Sequence, residues 1–311
     1  MSVYALHGVA LASSLTLPAL RARPGAEPEL RVQEPAASEL AFAGAGEVFA
    51  ELDVPGARYV ARRGPFGVGC DYAEWGRVLF GADGSVTLGT LGVPQAQSET
   101  ARALLSGSAL ALWLVAHAQL VLHASTVAWD DCSVALVGGS GAGKTTLAAQ
   151  CVIAGAYLVG DDVLRVAFDG ETARWHAGAR WLRLREGSSS LLDAWPGRAR
   201  HAEEDGRWVL EPGEATLLES GPLDALLWPR LDAAARDFDV QRLPAAEGLR
   251  RLLLGPRVRG LVAPDLLRAQ FEKAAQLVRA LPCFEATIPT GPPFADARKL
   301  RSELARQVSG R

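Results

Sequence analysis

Residues 134–163 read VALVGGSGAGKTTLAAQCVIAGAYLVGDDV. The opening run, 134–137, is short, apolar and bounded by β-branched valines, the pattern of a buried strand. Gly138 follows, then four residues, then Gly143, Lys144 and Thr145. This is the G-x-x-x-x-G-K-[ST] spacing of a phosphate-binding loop. Gly138, Gly141 and Gly143 let the backbone turn tightly and aim successive N–H groups into a small concavity. Residues 146–153 are good helix formers, so the loop opens onto a helix N-terminus, where free N–H groups and the dipole favour anions. Lys144 suits the β- and γ-phosphates, and the Thr145 hydroxyl suits Mg²⁺. Gly138, Gly139, Ser140, Gly141, Ala142, Gly143, Lys144, Thr145 and Thr146 are therefore the expected site for a nucleoside triphosphate. ATP with Mg²⁺ is the expected pair, with GTP left open by the residues alone.

The rest of the composition narrows the class. A chain of 311 residues, 49% apolar and 22% charged, can bury a real core. A formal charge of −3 argues against a nucleic-acid partner, which calls for a basic face. Cys70, Cys132, Cys151 and Cys283 lie far apart with no C-x-x-C pair, the usage of a reducing compartment. The N-terminus has no basic segment ahead of its apolar residues, so no signal peptide is read and a cytoplasmic location is expected. Residues 103–129 contain no Lys, Arg, Asp or Glu, long enough to span a bilayer. Ser106, Gly107, Ser108, His117 and Gln119 interrupt that stretch, so a buried helix and strand are expected there and no membrane contact.

Short alternating runs at 3–6, 58–61, 77–80 and 85–88, separated by Gly, Pro and Asp-Gly, make residues 1–97 a β-rich region. Residues 80–84 join two of these runs as a hairpin, and 21–39 read as a surface loop. Around Pro94–Ser98 a boundary is expected, with Ser98 capping a helix to about Ala118. A strand over 120–128, a turn at Asp130-Asp131 and the phosphate-loop strand follow. Gly155 ends the next helix, and 157–159 return as a strand that delivers Gly160-Asp161-Asp162. A βαβ crossover makes the two strands parallel and brings their ligand-bearing ends to one sheet edge. Beyond lie a hairpin at 164–176, strands at 181–185, 208–211, 225–229, 240–243 and 284–288, and helices at 245–254, 264–281 and 294–307. The expected fold class is α/β, with residues 1–97 as a β-rich N-terminal region and 98–311 as a phosphate-loop kinase domain.

A phosphate loop alone does not separate kinase, GTPase, motor and transporter. Asp161-Asp162, one helix and one strand after Lys144, narrows the choice. One carboxylate there can hold Mg²⁺ while its neighbour accepts the proton of an incoming hydroxyl. Asp130-Asp131, at the opposite strand end, reads as a plain turn. His123, in the apolar run LHASTV just before the loop strand, is either a packed core histidine or part of the site. Arg183 and Arg185 alternate on a strand and either reach an anion or face solvent, and Ser188 or Ser189 suits a helix cap.

The set LHASTV, GGSGAGKTT and LVGDD, in that order, resembles the catalytic domain of bacterial HPr kinase/phosphorylase and its relatives. The specific part of the likeness covers residues 120–163. The resemblance implies that Asp161 is the catalytic acid/base, Asp162 its partner acid on the metal side, and His123 the histidine that acts with them. It also implies Lys144 and Thr145 as phosphate and metal residues. The chain departs from that family in having Thr146 where an acidic residue is usual, and in lacking its later Pro-Gly-Arg-Asn element. It is more similar to stand-alone HPr-kinase-related proteins, some of which phosphorylate serine on a peptide, including lasso-peptide precursors. The expected activity is transfer of the γ-phosphoryl group to a hydroxyl, on serine of a peptide or small protein. A small-molecule kinase and a nucleotide-gated binding protein stay open, as does assembly into a homo-oligomer.

Overall fold

The run that opens the phosphate-loop motif forms the strand Ser133–Val137, and all five of its residues are buried. The computed structural model describes residues 1–21, 25–33, 45–55, 57–89, 99–202, 206–213, 219–290 and 296–308. Successive side chains of a strand point to opposite faces, so a strand buried on both sides is apolar at successive positions rather than alternate ones. Val134 and Leu136 accordingly enter one core while Ala135 and Val137 enter another. Neighbouring strands behave alike: Ala225 and Leu227 face the first core, Leu226 and Trp228 the second.

These strands belong to a six-stranded mixed sheet, ordered Tyr157–Gly160, Ala124–Ala128, Ser133–Val137, Ala225–Asp232, Cys283–Pro289, Asp239–Leu243. Helices Lys144–Ile153 and Ala297–Val308 cover one face through Leu147, Cys151, Leu300 and Leu304. Helix Pro264–Ala280 covers the other through Ala274, Leu277 and Val278, beside a four-stranded sheet. The strands on either side of the phosphate loop are parallel, as the crossover requires, but they are not neighbours. Ala124–Ala128 lies between them and pairs antiparallel with each.

A nine-stranded sheet is built from strands between Ser2–Leu6 and Ser85–Gly89. Its hairpin Gly76–Gly81 to Ser85–Gly89 turns at Asp83-Gly84, as read from the sequence. The stretch 21–39 is not simply a loop: Leu30–Gln33 is a strand between Val9–Ser13 and Ser85–Gly89, with Leu30 and Val32 buried. Two apolar residues at spacing two were enough to seat it. Residues 34–39 and the Pro94–Ser98 boundary, including the Ser98 cap, lie outside the described residues.

The single helix expected to reach Ala118 is two, Glu99–Ser106 and Ser108–Ala116. Gly107 breaks it, with φ −123° and ψ −109°, far from helical values. Ser108–Ala116 is apolar nearly all round, with six buried residues, so it needs packing on every side. It shares its core with the N-terminal sheet, where Leu110, Leu112 and Leu114 meet Val68, Val78 and Phe80. No helix among the described residues is long and apolar enough to cross a membrane.

The strand read over 120–128 is also divided. Leu120–Leu122 pairs with Leu164–Asp169 in the four-stranded sheet, whereas Ala124–Ala128 belongs to the six-stranded one. Near residue 188 the chain forms a 3₁₀ helix, Glu186–Ala194, which begins ahead of the serines. Ser188 therefore does not cap it; its hydroxyl lies 3.1 Å from that of Thr146. The expected strands and helices of the C-terminal half are present, including Ala245–Leu254 with the expected bounds. Asp130-Asp131 is a tight turn, closed by the Trp129 amide donating to the Cys132 carbonyl, and all four cysteines are buried thiols.

Candidate functional site

Two chain segments change sheets side by side, and the site lies in the gap between them. The first passes from Leu120–Leu122 to Ala124–Ala128 through His123, and the second from Tyr157–Gly160 to Leu164–Asp169 through Asp161, Asp162 and Val163. Leu122 is opposite Leu164, and Thr126 is opposite Gly160. Between those pairs side chains bridge the two segments. The Ser125 hydroxyl donates to Asp161 at 2.5 Å, and His123 Nδ1 lies 3.2 Å from an Asp162 carboxylate oxygen and 3.1 Å from its carbonyl. Asp162 takes up the turn with a left-handed backbone, φ +71°, a conformation that aspartate tolerates better than most residues.

The phosphate loop lies against this gap. Gly141 and Gly143 have φ of +83° and +89°, which an L side chain rarely adopts. Gly143 is also the N-cap of Lys144–Ile153 and has no side chain to cover the amides of the first turn. The Lys144 ammonium donates to the Gly138 and Gly139 carbonyls, each at 2.9 Å, and to His123 Nε2 at 3.0 Å. Those bonds use its three protons and make His123 Nε2 an acceptor, so Nδ1 carries the imidazole proton toward Asp162. The Thr145 hydroxyl lies 3.2 and 3.3 Å from the two oxygens of Asp161.

Of the two acids with which His123 is expected to act, it meets Asp162, and the Thr145 hydroxyl meets Asp161. Asp161 is the first residue after the strand Tyr157–Gly160 ends, and its carboxylate faces Thr145 at the phosphate loop. Asp162 turns away from that sheet toward the neighbouring crossover.

The two carboxylates are driven in opposite directions. Burial raises the pKa of Asp161 above the usual carboxylate range, and the neighbouring charge of Asp162 adds to the effect against the Ser125 and Thr145 hydrogen bonds. Burial also acts to raise Asp162, but the Arg257 guanidinium and His123 outweigh it and hold this carboxyl well below that range. Arg257 Nη2 donates to Asp162 at 2.6 Å. Burial lowers Lys144 below the usual ammonium range, against the attraction of both aspartates. Adjacent acids with pKa values pushed apart are a recurring way of assigning one as proton acceptor and the other as fixed charge.

His123, Ser140, Gly141, Gly143, Lys144, Thr145, Thr146, Asp161 and Asp162 all line one pocket of about 380 Å³. Gly139 contributes a carbonyl to Lys144 and another hydrogen bond to the Ala142 amide, which closes the loop. Arg183, Arg185 and Ser188 line the same pocket, with Ser188 beside Thr146. The donor set is one hydroxyl and two carboxylates, and no cluster of three metal-ligating side chains exists among the described residues. That suits Mg²⁺, which takes oxygen ligands and is usually held by one or two side chains together with phosphate oxygens and water.

Two residues of the site escape a reading of the chain alone. Ser125 stands two positions after His123, a strand spacing that places both on one side, and this alternation was the available signal. Arg257 lies 95 residues from Asp162, in an irregular segment with no motif around it.

No protein-family model matches the chain, and no curated protein matches it in sequence. Among solved structures it is similar to the HPr(Ser) kinase/phosphatase from Coxiella burnetii, at 12% identity and a TM-score of 0.28, over 60% of this chain and 94% of that one. A likeness so slight assigns neither substrate nor mechanism.

Proposed function

We propose that this protein is an ATP- and Mg²⁺-dependent phosphotransferase that moves the γ-phosphoryl group to the hydroxyl of a serine in a peptide or small protein. The observation that carries this is the convergence of Lys144, Thr145, Asp161 and Asp162 on one pocket that borders the phosphate loop. A pocket of about 380 Å³ is within the range of ligand sites and leaves room beside a triphosphate tail.

The loop amides and Lys144 oppose charge on the transferring group, and Lys144 gives up one of its present acceptors to do so. Asp161, the acid with the raised pKa, takes the hydroxyl proton as the oxygen–phosphorus bond forms and the bond to the β-phosphate oxygen breaks, leaving ADP. Asp162 stays ionised beside Arg257 and fixes His123, whose other nitrogen orients Lys144. Thr145 and Asp162 would hold Mg²⁺, which would neutralise phosphate charge and leave Asp161 as the proton acceptor. Positioning and charge neutralisation supply most of the rate in phosphoryl transfers of this kind.

The test is incubation with γ-labelled ATP, Mg²⁺ and serine peptides, read by mass and by label on the peptide. Transfer to serine is expected, and Lys144→Ala is expected to abolish it. Label released only as free phosphate would overturn the assignment in favour of a nucleotide-gated binding protein.

A further inference from the structure

A second cavity, of about 220 Å³, lies directly behind His123 and Gly138. Its walls come from the strand Leu120–Leu122, the C-terminal end of Ala245–Leu254, and Pro264–Ala280, with Leu122, Val137, Trp228, Leu252, Leu267 and Phe271 among the lining side chains. The polar groups on its wall are committed elsewhere. Gln270 donates to the Gln119 carbonyl at 2.6 Å, and Arg251 is bonded to Glu247 and Glu285. At the mouth, Leu267 and Phe271 are 46% and 49% exposed, large apolar groups left in water beside an apolar hollow.

Lys144 sets which end of the triphosphate this cavity adjoins. Its ammonium, the group that reaches the β- and γ-phosphates, touches both His123 and the Gly138 carbonyl. The other end of the catalytic pocket, at Thr146, Arg185 and Ser188, leads away along the helix. The cavity therefore lies on the side of the loop where the γ-phosphate end is expected and an acceptor must enter, and its lining side chains are mostly apolar.

We infer that this cavity is the acceptor subsite, and that it takes the apolar side chains flanking the phosphorylated serine of a peptide. The inference rests on the phosphotransferase reading above. A volume of about 220 Å³ falls short of the roughly 300–1,000 Å³ typical of sites that enclose a whole ligand. It suits one or two side chains of a longer chain whose remainder runs across the exposed mouth.

Two panels of serine peptides test this, identical except that the residues beside the serine are Leu and Phe in one and Gln and Asn in the other. With γ-labelled ATP, kcat/KM is expected to favour the apolar panel by about tenfold or more, the scale set by burying a few methylenes in an apolar pocket. Leu267→Ser and Phe271→Ser change half-exposed positions, so folding is expected to survive and is checked by thermal melting. Each should erase the preference through KM while the Kd for a fluorescent ATP analogue stays unchanged. Equal labelling of both panels, or a preference that survives both substitutions, overturns the subsite and leaves phosphotransfer standing. Label that appears only as free phosphate, with no peptide modified, overturns the phosphotransfer reading and this inference with it.

Discussion

Replacing Asp161 by asparagine separates chemistry from architecture, because the two side chains have nearly the same shape. The remaining amide oxygen can still accept from Ser125, and the new NH₂ can face the Thr145 hydroxyl, so the hydrogen bonds survive while the charge and the proton acceptor are lost. A positioned general base contributes about 10²–10⁴-fold, or roughly 3–5 kcal/mol of barrier. Asp161→Asn should therefore slow transfer by that factor and leave ATP affinity in place. Stability should move the other way. Asp161 is buried and holds its proton more tightly in the folded protein than in the unfolded chain. The contribution of this group to wild-type stability is then greatest below the unfolded carboxylate pKa, about 3.9, and is lost as pH rises through the higher folded value. The variant has no such loss, so its Tm should match wild type in acid and exceed it at neutral pH, as expected where function keeps a strained charge. Single-turnover transfer from γ-labelled ATP and melting curves across pH are the assays. Undiminished transfer in Asp161→Asn would refute the base assignment, and a Tm lowered at every pH would refute the account of its burial.

Two further outcomes follow from the same geometry. Arg257→Ala removes the cation that holds Asp162 ionised; the pair is partly open to solvent, so the expected cost is about 1 kcal/mol or less. Asp162 has a depressed folded pKa, so this deficit should be full at neutral pH and vanish as pH falls through that value; a deficit equal at all pH in denaturant titrations would count against the ion pair. Gly178→Ala places a Cβ into the buried His7 imidazole and 3.2 Å from the Val163 carbonyl, in the segment whose amide and carbonyl brace Val159 and Asp161. Overpacking of that kind costs about 1–3 kcal/mol, read as a lower denaturant midpoint, and an unchanged midpoint would show that the gap tolerates widening.

Much of the second half of the chain was legible because its signals are local. Ala245–Leu254 begins just after Pro244 and ends before Gly255, and the hairpin Leu164–Asp169 to Thr172–His176 turns at Gly170-Glu171, one residue past the Asp-Gly signal's start. The misreadings share a cause in tertiary packing. Ser108–Ala116 is apolar on every side, so periodicity could not say which sheet it would cover. Leu30–Gln33 is too short to stand out, and only its neighbours Val9–Ser13 and Ser85–Gly89 make it a strand.

The sequence by itself determined the phosphate-loop motif and the acidic pair, since glycine spacing, helix start and strand ends are dictated within thirty contiguous residues. Only the tertiary structure decided which acid meets which partner. Two strands leave one sheet for another at the same level, where contacts between residues 36 and 39 positions apart bridge the two segments and Arg257 joins from 95 residues beyond Asp162. Such contacts depend on sheet order and on where the crossovers align, and no local pattern of residues encodes either.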